Sequence, residues 1–418
     1  MFVVFVLVAV VILTLIGVLH WYVWRRLVRD TTAPGSVARR TGRIAMIALP
    51  LLVVATFVGG RTVLPFEVVR VIAWPGYLWL AVFLYLLLAL AVGELVRPLL
   101  MRLTRGKEAP REAKVPELVP VPAGEAPPAE AAEPPAGEPK NAEEPSRRLF
   151  VSRVVAGTAT AAALGTVGYG AYGTLRGPKV KRLTVPLAKL PRGAHGFRIA
   201  VVSDIHLGPV LGRGFAQRVV DTINATQPDA IAVVGDLIDG NVEDLAPAVA
   251  PLAGLRARHG AYFVTGNHEY ISGAGQWVEH VQGLGLRLLP NARVELPGFD
   301  LAGVNDVAGE DDGQGPDFAR ALGDRDRTRA AVLLAHQPVV VHDAVRHGVD
   351  LQLSGHTHGG QLWPFNYVAG LANPTLAGLE RYEDTQLYVS RGAGAWGPPV
   401  RVGAPSDITV IELASRQA

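Results

Sequence analysis

The hydrophobic and polar positions of this chain follow two different rhythms. Phe2 to Trp24 is nearly unbroken apolar sequence, and at about 1.5 Å per residue such a run crosses a hydrocarbon core of about 30 Å. Ile44–Gly60 and Trp79–Val96 predict a second and a third membrane span, each extendable into flanking Val, Leu and aromatic residues. From Gly106 to Ser146 the sequence is dominated by Pro, Ala and Glu, with too few large apolar side chains to offset the entropy of ordering, and it reads as a disordered linker. Ser146-Arg147-Arg148-Leu149-Phe150-Val151 follows, and after Arg153 a moderately apolar Ala/Gly/Val run extends from Val154 to Leu175. That segment reads either as a twin-arginine export signal, which implies the Tat export machinery as a partner, or as a fourth transmembrane helix with basic flanks. No small-x-small cleavage pattern lies near residue 173, so retention as a signal anchor is expected.

Beyond Phe197 the rhythm changes to short apolar runs separated by amphipathic stretches. Arg198–Ser203, Ala230–Gly235, Ala261–Thr265, Ala331–Ala335 and Leu351–Ser354 predict buried strands, and Phe215–Ala225 and Gln276–Gly283 predict helices between them. Strand–helix alternation of this kind argues for a layered α/β domain. The expected organisation is a membrane domain over 1–103, a linker over 104–146, a signal anchor or fourth span over 147–176, and a C-terminal α/β domain over 177–418.

Charge refines the map. The chain has an apolar content of 49% and a mean hydropathy of +0.26, with the excess concentrated in its first hundred or so residues. Of its 40 Lys and Arg residues 24 precede position 195, against 12 of the 37 Asp and Glu, leaving +12 there and −9 beyond. An acidic C-terminal domain repels a polyphosphate backbone and cannot supply the counterion-release term of nucleic-acid binding, so no nucleic-acid partner is expected. Arg25, Arg26, Arg29, Arg39, Arg40 and Arg43 crowd the first loop, whereas the second carries Arg61, Arg70 and Glu67. The positive-inside rule then puts the first loop in the cytoplasm and predicts a multi-pass protein of the cell membrane, its C-terminal domain on the extracytoplasmic side. Cysteine is absent, which excludes thiolate nucleophiles, thiolate metal sites and disulfides, and leaves His, Asp, Glu and Asn as metal ligands.

The chemistry lies at the strand ends. Asp204-Ile205-His206 closes the first, Gly235-Asp236-Leu237-Ile238-Asp239 the second, Gly266-Asn267-His268-Glu269 the third and His336 the fourth, and Gly355-His356-Thr357-His358-Gly359-Gly360-Gln361 follows the fifth. Ligands of open α/β sheets gather at such carboxyl ends. Gly235, Gly266 and Gly355 precede the polar residues where close backbone approach leaves little room for a Cβ. A carboxylate can bridge two divalent ions about 3.5–4 Å apart while imidazoles and an amide oxygen fill other positions, and a hydroxide between the ions is then a nucleophile. Asp239 and Glu269 read as orienting residues or as solvated loop charges. Asn305-Asp306, Trp363 and Phe365 flank the site, shaping access or merely packing loops. The other histidines, at 20, 195, 259, 280, 342 and 347, read as surface or core positions.

In this order the five blocks resemble the calcineurin-like metallophosphoesterase superfamily over residues 195–418, and the ending from Tyr388-Val389-Ser390-Arg391-Gly392 to Gly397-Pro398-Pro399-Val400-Arg401 resembles its bacterial membrane-associated or Tat-exported branch of the YkuE and YaeI type. The resemblance implies a layered β-sandwich flanked by helices. It implies that Asp204, His206 and His358 bind one metal, that Asn267, His336 and His356 bind a second, and that Asp236 bridges both. It implies that His268 stands on the leaving-group side as general acid or transition-state donor. Two divalent ions are expected, Mn, Fe or Zn with Mn favoured. The expected function is hydrolysis of a phosphodiester, phosphomonoester or pyrophosphate by a metal-bridging hydroxide, with a lipid-linked or cell-envelope substrate suggested by the anchor. The rival reading is a non-catalytic metal-binding sensor or scaffold on a membrane anchor.

Overall fold

The computed structural model describes residues 2–59, 64–103 and 147–416. The expected linker, 104–146, lies outside them. Among the described residues four helices are long and apolar enough to cross a membrane, Val6–Arg29, Val37–Gly59, Phe66–Leu103 and Arg147–Leu175. The chain divides into two units, one of residues 1–44 and 86–161, the other of 45–85 and 162–418.

In the first unit arginines tie the first loop and the neighbouring helices together. Arg26 Nη2 donates to Glu94 Oε2 at 2.8 Å, and Arg153 Nε donates to the carbonyl of Thr31 at 3.1 Å. Arg97 Nη2 donates to Ser152 Oγ at 3.2 Å. These contacts gather the first loop, the end of Phe66–Leu103 and the start of Arg147–Leu175 at one end of the helices.

The second unit is built on β1 (Lys179–Leu187), β2 (Phe197–Val202), β3 (Ala230–Val234), β4 (Ala261–Val264), β5 (Arg287–Leu288), β6 (Ala292–Leu296), β7 (Phe299–Gly303), β8 (Ala330–Leu334), β9 (Leu351–Ser354), β10 (Gly378–Tyr382), β11 (Thr385–Val389) and β12 (Asp407–Ser415). They form two six-stranded sheets, ordered β1-β12-β2-β3-β4-β5 and β10-β11-β9-β8-β7-β6. β2 to β5 run parallel, as do β7, β8, β9 and β11, while β12, β6 and β10 each make one antiparallel pairing.

The sequence dictates this layering. A parallel strand covered on both faces reads as a continuous apolar run rather than an alternation. In β2 and β3, Ile199, Val201, Ala232 and Val234 enter the core between the sheets, with Phe299, Leu301, Val332, Leu334 and Leu353 opposite. Their neighbours Ala200, Val202, Ile231 and Val233 face the helices, meeting Phe215, Val219, Ile223 and Trp277. Each fully buried aliphatic or aromatic side chain stabilises the fold by about 1.5–3 kcal/mol relative to exposure. Trp277 keeps its polar atom satisfied, Nε1 donating to the Gly240 carbonyl at 2.8 Å. Phe66 and Leu175, from the third and fourth long helices, pack on this same helix-side core.

The strands stop one residue before the ends expected at 203, 235, 265 and 335. The reason is visible at the first two, where the chain turns into the left-handed region at Asp204 and at Gly235 and Asp236. The helices start earlier than expected, at Arg213 and Ala274.

Candidate metal centre

The carboxyl ends of β2, β3, β4, β8 and β9 deliver the polar residues to one edge of the paired sheets. Asp204, His206, Asp236, His356 and His358 all have positive φ, of 52°, 48°, 52°, 72° and 52°. Non-glycine residues avoid that region, and such conformations cost about 1–3 kcal/mol each unless the surroundings over-determine them. Two glycines make room for the turns. A Cβ on Gly355 would overlap Ser203 Oγ and Asp204 Oδ2, and one on Gly266 would overlap Asp236 Oδ1.

Three groups of ligating atoms result, Asp204 with His206 and His358, Asp236 with His336 and His356, and His206 with Asp239 and His268. His358 Nε2 lies 3.0 Å from His206 Nε2 and 3.3 Å from Asp204 Oδ1. Asp236 Oδ2 lies 3.2 Å from His336 Nε2 and 3.7 Å from His206 Nε2, between the clusters. Asn267 Oδ1 is 2.9 Å from His356 Nδ1. All seven residues named from the sequence are thus brought together.

Two histidines are held through Nδ1, which turns Nε2 toward the other ligating atoms. His336 Nδ1 donates to the Val234 carbonyl at 2.9 Å, while its buried Nε2 faces Asp236 Oδ2 at 3.2 Å. His206 Nδ1 donates to Asp239 Oδ1 at 2.9 Å, leaving its Nε2 to face His358 Nε2 at 3.0 Å. An imidazole fixed through one nitrogen by a carbonyl or carboxylate is the usual support of a metal-ligating histidine. Imidazole nitrogens, carboxylates and an amide oxygen converging on one buried space fit divalent ions of the Mn, Fe or Zn kind.

Electrostatics follow from burial and from these pairs. Burial alone would lower His206 and His336. The carboxylates outweigh it, Asp239 first for His206, raised to about 9, and Asp236 first for His336, raised well above its ordinary value. Burial opposes ionisation of Asp236, but His336 and then His206 hold it below the usual carboxylate range. Burial raises Asp204. His356 and His358 fall, to about 4 for His356, through burial and then the neighbouring charge of His336 and His206 respectively.

Asp239 and Glu269, read from sequence as orienters or loop charges, both face inward. Asp239 Oδ1 also lies 2.6 Å from Nδ1 of His268. Glu269 is fully buried and accepts from the backbone N–H groups of Gly266, Asp236 and Leu237 at 2.6, 3.0 and 2.8 Å, bracing two ligand loops against each other. Burial, then the charge of Asp236, raises it to about 7. Asp306 caps the turn Val307–Asp312 by accepting from Ala308 N–H and receives Gln337 Nε2, so its place is in loop packing. Among the described residues none of the other histidines joins a ligating cluster.

Three contributors, Arg401, Gln361 and Trp396, have no role legible in the sequence, although Gln361 and Arg401 fall within its motifs. Arg401 is buried, its Nη2 lying 3.1 Å from His358 Nδ1 and its Nη1 donating to the His358 carbonyl at 3.1 Å. Gln361 and Trp396 exchange hydrogen bonds, Gln361 Nε2 to the Trp396 carbonyl and Trp396 N–H to Gln361 Oε1. The Trp396 ring meets His268 edge-on at 5.9 Å, and Phe57, from the second long helix, meets Trp396 at 6.2 Å and Tyr77 at 5.1 Å. A cleft of about 270 Å³ opens beside His268, walled by Phe57, Val69, Tyr77 and Trp396 on one side and by Asp239 and Asn241 on the other.

Residues 197–360 match the calcineurin-like phosphoesterase family. An uncharacterized metallophosphoesterase of Helicobacter pylori is 37% identical over 272 residues, covering 64% of this chain and 73% of that protein. The Bacillus subtilis metallophosphoesterase YkuE is 30% identical, covering 65% of this chain and 98% of YkuE. A zebrafish transmembrane protein with a metallophosphoesterase domain is 38% identical over 59% of each chain, so this chain spans well under two thirds of that relative's length.

Proposed function

Because the chain belongs to the calcineurin-like metallophosphoesterase family, we propose that it is a membrane-anchored, two-metal phosphoesterase. The observation that supports this most is the approach of two ligating groups at the strand ends, Asp236 Oδ2 of one lying 3.7 Å from His206 Nε2 of the other. In this reading Asp204, His206 and His358 hold one ion, Asn267, His336 and His356 the other, and Asp236 contacts both. Two ions there supply a water nucleophile with a pKa of about 7 and neutralise charge on the phosphate oxygens. His268, with Nδ1 tied to Asp239, is left with Nε2 for the leaving-group oxygen, as donor or general acid. Manganese is the metal proposed first.

The cleft beside His268 supports an amphipathic phosphate ester, lipid-linked or from the cell envelope. Its aromatic wall comes partly from two helices apolar enough to enter a bilayer. The arginine-rich first loop supports an extracytoplasmic catalytic domain, and Arg147–Leu175 is proposed as a retained anchor whose arginine pair serves export. The orientation test exploits the lack of native cysteine. A thiol placed in the Pro-rich linker resists an impermeant reagent in whole cells while one in the C-terminal domain reacts, and the opposite labelling refutes the map.

Activity is tested on the purified full chain by elemental analysis together with hydrolysis of a panel of lipid and soluble phosphate esters with manganese. Turnover with two equivalents of metal is expected, best on the lipid esters. A folded, metal-loaded protein without turnover would point to the sensor or scaffold reading, and a preference for soluble nucleotides would count against the lipid substrate.

A further inference from the structure

The metal centre is followed in sequence by an unusually apolar surface element. From Gly359 to Leu379 no side chain is charged. Within that stretch the helix Phe365–Ala372 has no buried residue, and Tyr367, Val368 and Leu371 are 67%, 61% and 90% exposed. Trp363 and Phe365, just before and at its start, are 48% and 49% exposed. Single exposed apolar residues are ordinary, but a contiguous apolar surface marks a partner. A helix of eight residues is too short to persist in water on its own propensity, so its apolar side chains need something to lie against.

The identity of that something follows from where the element begins. Tyr85 Oη donates to the carbonyl of Trp363 at 2.9 Å. Tyr85 sits inside the apolar stretch Trp79–Val96 of the helix Phe66–Leu103, the most continuous hydrophobic segment of that candidate span. A backbone group that meets a spanning helix at that level is at the height of lipid. We propose that Trp363 and the helix Phe365–Ala372 insert into the bilayer beside the metal centre, as an in-plane anchor with aromatic residues at the boundary, and hold the mouth of the site against the lipid surface. The inference rests on the reading of the long helices as membrane spans. Trp363 follows His358 by one short turn, so the anchor is continuous with the metal-ligand loop, and Gln361 between them is bonded to Trp396 at the rim of the cleft.

The test uses the full chain in phosphatidylcholine vesicles, where an introduced cysteine is the sole thiol. Val368→Cys, Leu371→Cys, Leu164→Cys and Arg256→Cys are each labelled with an environment-sensitive fluorophore. Leu164 is 54% exposed on the helix Arg147–Leu175, and Arg256 is exposed in the loop before β4, at the other end of the strands from the metal centre. Labels at 368 and 371 are expected to match 164, quenched by doxyl-labelled lipid and shielded from aqueous iodide, with 256 showing the reverse. Iodide quenching at 368 and 371 equal to that at 256 would overturn the proposal. So would protection from both quenchers, which would signal a second copy or another protein on this face. Failure of the 164 label to report lipid would remove the span reading on which the inference stands. Turnover plays no part in the readout, so an inactive protein with lipid-quenched labels would count against the phosphoesterase reading alone.

Discussion

Asp239 Oδ1 stands 2.9 Å from Nδ1 of His206, fixing the ring orientation of a residue in the candidate metal site. The same oxygen reaches His268. One carboxylate thereby orients both His206, proposed as a metal ligand, and His268, proposed as the leaving-group histidine. Asp239→Ala is expected to lower metal affinity by about 10–100-fold and to lower turnover further even at saturating metal. Chelator competition measures the first effect, and kcat in excess manganese the second. A variant with unchanged affinity would refute the orienting role.

Asp236 and His268 separate binding from chemistry. Asp236→Asn removes the negative oxygen that lies between the two clusters and is expected to reduce both metals to well below one equivalent per chain. His268→Ala should keep two equivalents and lose turnover by about 10²-fold or more. Elemental analysis beside steady-state rates decides. Equal metal loss in the two variants would show that His268 is a ligand.

Glu269 predicts a pH dependence of the metal-free protein. Burial, then Asp236, raises it to about 7, so the folded chain holds a proton that the unfolded chain releases near its ordinary value of 4.5. Its contribution to stability is complete below that lower value and is lost as pH rises through about 7. Melting temperatures of the chelator-treated protein should fall over that interval. Glu269→Gln, which cannot ionise, is expected to flatten the slope, and an unchanged slope would exclude Glu269 as its source.

Gly355 tests how tightly the loops interlock. The side chain of Gly355→Ala would meet Ser203 Oγ and Asp204 Oδ2, so the β9 turn must move away from β2. Overpacking of this kind costs about 1–3 kcal/mol. A lower melting temperature should accompany weaker binding of the metal held by Asp204, read by calorimetric titration. Wild-type behaviour in both measurements would mean that the contact relaxes freely.

The parts of the fold that were legible share one physical cause. β3, β4 and β8 are covered on both faces and spell unbroken apolar runs that stop at or near polar residues, while β2 and β9 are apolar but for Arg198 and for Gln352 and Ser354. β10, half exposed and antiparallel, carries Glu380 and Arg381, and β5 is two residues long, so neither leaves a period to read. The proposed ligands stand out in the sequence because each follows a strand end closely. Arg401 and Trp396 do not, since they act on His358 and His268 from 43 and more than a hundred residues away in the chain. Nor does any local pattern foretell that Phe57, within the second expected span, meets both Tyr77 and Trp396.

The left-handed turns at Asp204, His206, Asp236, His356 and His358 bear on how the protein would recover from metal starvation. Conformations of that sort endure only where the surrounding structure compels them, which places the work of shaping the coordination shell in folding rather than in ion capture. A depleted molecule would then reload at the pace at which ions arrive and shed their water, with no search through alternative loop shapes. Its readiness would track the supply of ions in its compartment.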